Sequence, residues 1–125
     1  MENPKRKKIG EFSQLVIDTL QLDVAVGTPI YVGESNLRHM SQRHPKAFKK
    51  YGDRISRVIS EADWVALADD SSVEFVKMFG QHIKVAVRIS VAGDYYARTL
   101  FHVEPNLANN KIKQGYWKPI EKSVD

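Results

Sequence analysis

Two of the four histidines stand close together in Ser35-Asn36-Leu37-Arg38-His39-Met40-Ser41-Gln42-Arg43-His44-Pro45. Histidine has an unperturbed pKa of about 6.5, so it can accept or donate a proton near neutral pH. Cleaving RNA without a metal needs a base for the ribose 2′-hydroxyl, an acid for the departing 5′-oxygen and cations for charge developing on the phosphate. The chain holds that inventory: His39, His44, His82 and His102 for proton transfer, and Lys77, Lys84, Arg88 and Arg98 for phosphate.

Spacing argues against a zinc site at the histidine pair. A step of five residues turns a helical side chain by roughly 140°, so His39 and His44 do not share a helix face, whereas paired zinc ligands on one helix favour a step of four. His44 falls near the stripe of Leu37 and Met40. It is therefore either a buried histidine tying a helix junction to a carbonyl or one that projects from the helix over a sheet edge. No glycine-rich phosphate loop, no Gly-x-Ser-x-Gly nucleophile elbow and no acidic pair with divalent-metal spacing is present. Asp69-Asp70-Ser71-Ser72 reads as a turn.

The elements that would position these groups follow from the hydrophobic pattern. Ile9, Phe12, Leu15, Val16 and Leu20 recur at three- and four-residue steps, which predicts a short amphipathic helix, with a strand through Leu15 to Leu22 as the alternative. Ile30-Tyr31-Val32 is a short β-prone run ending at Gly33, and Ser35 stands as a helix N-cap. Pro45 is tolerated only in a first helical turn, which divides the next stretch into a helix over about Asn36 to Arg43 and a longer one from Pro45. Phe48, Tyr51, Ile55, Val58, Ile59 and Ala62 form its apolar stripe, and Gly52 marks a bend or a new turn.

From Trp64 the period becomes two. Trp64 to Ala68, Val73 to Phe79, Ile83 to Val91 and Tyr95 to Val103 read as strands joined by short turns, an antiparallel meander. The remainder, Pro105 to Asp125, reads as an irregular segment or an edge strand near Tyr116-Trp117. In the third of these strands Ile83, Val85, Val87, Ile89 and Val91 are predicted to face the helices, with Lys84, Ala86, Arg88 and Ser90 on an open face. The expected architecture is α+β, with N-terminal helices packed on one face of a four-stranded antiparallel sheet.

Composition narrows the class. At 125 residues, 42% of them hydrophobic, the chain suits one globular domain. Without cysteine it has no disulfide and no thiolate metal site. No apolar run approaches the ~20 residues of a membrane-spanning helix. The basic opening segment lacks a secretory apolar stretch. A soluble, cytoplasmic protein is expected, with residues 1–8 as a disordered basic tail and 9–125 as a single domain.

Lys and Arg number 19 against 15 Asp and Glu, a net charge of only +4, but the charge is blocked. Residues 38–57 contain seven Lys and Arg and one Asp, 77–118 seven Lys and Arg and two acids, and the 58–76 segment between them five acids and no cation. Two positive blocks can fold into one positive face, the footprint of a phosphate-backbone binder, or they can simply solvate the outer side of a helix.

The residue order resembles the phage-associated nuclease domains of the barnase, EndoU, colicin and RelE superfamily. The resemblance rests on Lys8-Ile9-Gly10, on the His39 to Pro45 segment, on the helix through Tyr51 to Asp63 followed by Trp64-Val65, and on the three strands around Phe75, Val87 and Thr99. It spans nearly the whole chain. It implies metal-independent RNA cleavage, often by a toxin or effector; together with the histidine pair and the basic strands it leads to the expectation of 2′-hydroxyl attack to a cyclic phosphate. By that likeness His39 and His44 match the helical histidines, Lys77 and Arg88 the basic strand positions, and Ser90 and Thr99 the strand hydroxyls.

The resulting expectation makes His39, His44, Arg88 and Thr99 catalytic, one histidine acting as base or acid, and gives Lys77, Lys84, Ser90 and Arg98 to substrate binding. No metal or other cofactor is expected. RNA is the expected partner, tRNA among the candidates, with a cognate inhibitor or immunity protein as a further candidate partner and no membrane. Strict alternation puts Thr99 with Ala97 and Phe101, and Arg98 with Leu100 and His102. Either a bulge re-aims the strand, or Arg98 and His102 face the site and Thr99 is buried. Tyr96, Tyr116 and Trp117 are candidates for stacking on bases. The rival reading is a non-catalytic nucleic-acid or protein-binding module of a phage or conjugative element, since members of such folds lose activity.

Overall fold

The computed structural model describes residues 6–120. The chain opens with strand β1 (Lys7–Glu11), then helix α1 (Gln14–Leu20) and strand β2 (Pro29–Val32). Three helices follow: α2 (Glu34–Arg43), α3 (Pro45–Tyr51) and α4 (Ile55–Ser60). Strands β3 (Trp64–Leu67), β4 (Val73–Met78), β5 (His82–Ile89) and β6 (Tyr95–Val103) form the antiparallel meander, and α5 (Pro105–Lys113) and β7 (Lys118–Pro119) complete the fold.

The architecture is mixed α+β, but the sheet has seven strands among the described residues, in the order β1-β2-β6-β5-β4-β3-β7, rather than four. The additional strands are short. β2 pairs parallel with β6 over only Ile30–Tyr95 and Tyr31–Tyr96, and β7 is two residues long. A register shift between Lys8 and Gly10 breaks the alternation of β1. None of the three therefore carries a legible period of two. Lys7 and Lys8, expected in a disordered tail, pair with Val32 and Tyr31, while residues 1–5 of that tail lie outside the described residues.

The predicted first helix begins five residues late, at Gln14, because Ser13 caps it by accepting from the Val16 N–H at 3.2 Å. The second begins at Glu34 with Gly33 as N-cap, not Ser35; the Gly33 N–H donates to Asn36 Oδ1 at 2.9 Å. Pro45 opens α3 as expected. The helix from Pro45 breaks after Tyr51, where a Cβ on Gly52 would lie 2.5 Å from the Phe48 carbonyl oxygen. Close packing also explains Gly10, where an added Cβ would lie 3.0 Å from Ile59 on α4.

Both sheet faces carry a core. The larger joins Phe12, Val16 and Ile17 with Ile55, Val58, Phe75, Val85 and Leu100, under α1 and α4. The smaller lies on the opposite face, where α5 brings Ala108 and the following segment brings Trp117 against Ala66, Val76 and Val103. Helices thus cover more than one face. The segment read as irregular is helical over α5, and the edge strand expected near Tyr116-Trp117 is β7, paired with Trp64 and Val65. Ile83, Val85 and Val87 are fully buried as predicted, whereas Ile89 and Val91 run out of cover and are exposed. No helix among the described residues is long and apolar enough to cross a membrane.

His82 belongs to the smaller core, its ring centroid 5.3 Å from Trp64 and 5.8 Å from Trp117. Burial pushes its imidazole below the ordinary range, His102 adds to the effect and Asp63 opposes it. The unfolded chain therefore binds this proton more readily, and its contribution to stability, full above about pH 6.5, declines as pH falls through that value. The urea midpoint is expected to drop between about pH 7.5 and 5.5, with a shallower dependence in His82→Phe.

Candidate functional site

The end of the smaller-core face that α5 and Trp117 leave open forms a cleft between the sheet and the N-terminal half of α2. It has two adjoining cavities of about 400 and 420 Å³ that share Ser35, Asn36, Arg88 and Arg98. Gly33, Glu34, Arg38, Ser90 and Tyr96 complete one; His39, Asp70, Ser72, Ala86 and Thr99 complete the other. Met40, buried in the larger core, anchors the inward side of α2, so the neighbouring His39 turns away from that core and toward the cleft.

The bulge decides the orientation of β6. Ala86 pairs with Thr99 and Val87 with Ala97, so Arg98 is the extra residue opposite no partner. Before it the β6 side chains follow one alternation, after it the other. Thr99 therefore shares a face with Ala86, and Arg98 is exposed at the same cleft. Four expected site residues, His39, Arg88, Arg98 and Thr99, line one cavity, and Ser90 lines its neighbour. Ser90 also accepts from the Asp94 N–H at 3.2 Å, holding the β5–β6 turn.

Other expected residues lie elsewhere. Lys77 has the parity of Val73 and Phe75, so it faces the larger core side, 3.6 Å from Glu61 and 4.0 Å from Asp63. It is not at the cleft. Lys84 is on the cleft face but is engaged: its Nζ lies 3.2 Å from Glu74 Oε2 and 4.5 Å from the Phe101 ring centroid. His44 joins α2 to α3 and projects over the sheet edge to stack on the same Phe101, centroids 4.9 Å apart, without lining either cavity. His102 is exposed opposite Ile83. Trp117 is wholly buried and unavailable for stacking, whereas Tyr96 lines the cleft. Tyr116 is partly buried; burial, with Glu74, Asp69 and Asp70 nearby, pushes its phenol up and keeps it protonated.

Two carboxylates escaped the sequence reading, Asp70 at the cleft and Glu74 on the same sheet face. Asp70 lies 3.9 Å from Arg88, and the hydroxyl and N–H of Ser72, the latter at 2.9 Å, hold its carboxyl below the usual range, with Arg88 assisting. Glu74 is buried on the same sheet face, outside the lining of either cavity. Glu74, Ala86 and Thr99 stand in register on three adjacent strands, which at about 4.8 Å per strand places Glu74 and Thr99 roughly 10 Å apart. Glu74 Oε1 and Thr99 Oγ1 are both buried without a hydrogen-bond partner in the protein. Between them the small Ala86 opens the cavity. The orphaned Thr99 hydroxyl, on a residue that lines the cleft, is a site that a polar ligand or water satisfies.

Among the described residues no three His, Asp or Glu side chains gather as metal ligands would. The cleft offers one imidazole, from His39, three guanidinium groups, from Arg38, Arg88 and Arg98, and several hydroxyls, Thr99 among them, to a phosphate-sized group. No curated protein and no solved structure matches the chain. A family model described as phage-Barnase-EndoU-ColicinE5/D-RelE like nuclease 3 matches residues 7–110, from the first residue of β1 into α5, and so takes in every side chain of the cleft. Over that span the chain belongs to this family of phage-associated, nuclease-like domains.

Proposed function

We propose that the chain is an endoribonuclease that works without a metal. The observation that carries this reading is the convergence of His39, Arg88, Arg98 and Thr99 on one cavity. With a phosphodiester between Arg88 and Arg98, the two guanidinium groups neutralise its non-bridging oxygens, and guanidinium forks suit that geometry. Neutral His39 accepts the 2′-hydroxyl proton, and the 2′-oxygen bonds to phosphorus. The bond to the 5′-oxygen then breaks, leaving a cyclic phosphate, and the departing oxygen takes a proton from solvent in the open cleft. The free Thr99 hydroxyl donates to a phosphate oxygen, supplying the hydrogen bond it lacks in the protein.

One observation favours the binding-module reading instead: His39 is exposed and no hydrogen bond among the described residues orients it, whereas catalytic bases are usually held by a third group. Incubating the purified protein with total RNA in excess EDTA separates the two. Cleavage products ending in cyclic phosphate are expected, and products that vanish in Arg88→Ala. Intact RNA, bound in a salt-sensitive manner, would instead identify a binding module.

A further inference from the structure

Several cations around the sheet and α4 meet carboxylates: Arg6 with Asp94, Arg57 with Glu61, Lys77 with Glu61, Lys84 with Glu74 and Arg88 with Asp70. A run of four from the end of α2 through α3 does not. Arg43, Lys46, Lys49 and Lys50 are exposed and form no ion pair among the described residues. Glu34, a full α2 length away from Arg43, is the one acid between positions 34 and 51. A helix face that merely needs solvation is served by alternating charge, as the Arg57–Glu61 pair on α4 illustrates. Four like charges left unneutralised repel one another and lower stability unless an anion is recruited.

Their placement is continuous with the cleft. Arg43 lies four residues beyond His39, on the same side of α2 and about 6 Å further along the axis. On α3, Tyr51 is buried and Phe48 packs on the core, so Lys46, Lys49 and Lys50, at steps of three and four, occupy the outward side. The stacking of His44 on Phe101 fixes α3 against the cleft's end.

We propose that an RNA strand held in the cleft continues over this surface, with Arg43, Lys46, Lys49 and Lys50 taking successive backbone phosphates. The substrate is then a strand several nucleotides longer than the bond being cut. This inference rests on the ribonuclease reading but concerns residues outside the proposed chemistry.

The test is the full chain with Arg43→Gln, Lys46→Gln, Lys49→Gln and Lys50→Gln combined, all exposed positions, and with folding checked by circular dichroism. On a 15-nucleotide single strand, KM or Kd is expected to rise roughly tenfold or more. The log K against log salt slope is expected to become shallower by about 3, at ~0.7 for each phosphate no longer neutralised. A dinucleotide, too short to reach α3, is expected to be cut as by wild type. Long-strand KM and salt slope equal to wild type would overturn the inference while leaving the ribonuclease reading intact. Loss of binding to anionic phosphatidylserine vesicles with unchanged RNA binding would overturn it in favour of a membrane surface. RNA binding that the substitutions weaken, with no cleavage by wild type, would uphold the track and defeat the catalytic reading.

Discussion

His39→Ala is expected to lower kcat for RNA cleavage by roughly 10²- to 10⁴-fold, the range general acid–base catalysis contributes. His39 is the one imidazole that lines the cleft among the described residues. His44 is stacked on Phe101, His82 lies between two tryptophans and His102 faces solvent opposite Ile83. KM should change little, because Arg88 and Arg98 hold the phosphate in the proposed complex. Being exposed, the position can admit a small molecule, so added imidazole should restore part of the lost rate, a response a purely structural residue would not give. Single-turnover cleavage of a defined oligonucleotide measures both effects. Wild-type rates in His39→Ala would remove the chemistry from this side chain and leave the cleft as a binding surface.

The second large effect concerns stability. Lys84→Met is expected to destabilise the fold by about 3 kcal/mol, since removing one partner of a buried pair leaves an uncompensated buried charge. The side chains of Lys84 and Glu74 are only 13% and 9% exposed, and Glu74 Oε1 already lacks a partner. Adding Glu74→Leu should recover most of the loss, because replacing both members of such a pair with apolar residues is often neutral or stabilising. Urea denaturation of the wild type, both single variants and the double variant completes the cycle. Equal stabilities of Lys84→Met and wild type would mean that water reaches Glu74 in solution. The same pair explains why Lys84 is a poor phosphate ligand: its charge is already neutralised at 3.2 Å.

Much of the scaffold was legible in the residue pattern because burial imposes it directly. Alternation located all four meander strands to within two residues, and Pro45 located the start of α3. Lys77 was also legible. Its parity with Val73 and Phe75 places it on the larger-core side, a signal outweighed by the resemblance to a basic strand position. Glu74 could have been found as the one acid of its strand, on the same sheet face as Lys84 and one diagonal step from it across the β4–β5 pair. β1 could not, because a register shift breaks its alternation, whereas β2 and β7, four and two residues long, were legible only as the β-prone run Ile30-Tyr31-Val32 and an edge strand near Tyr116-Trp117.

Thr99 marks the boundary. The sequence by itself determined an α+β domain, the helix carrying His39, the meander carrying Arg88 and the blocked charge. Each is a local property, set by side-chain period, backbone propensity or composition. Only the tertiary structure decided that Thr99 turns toward Ala86, that His39 rather than His44 reaches the cleft, and that Lys84 is consumed by Glu74. A bulge is a relation between two strands, and an ion pair between β4 and β5 is a relation of register. Such relations come into being when separate segments pack, so no single stretch of sequence contains them.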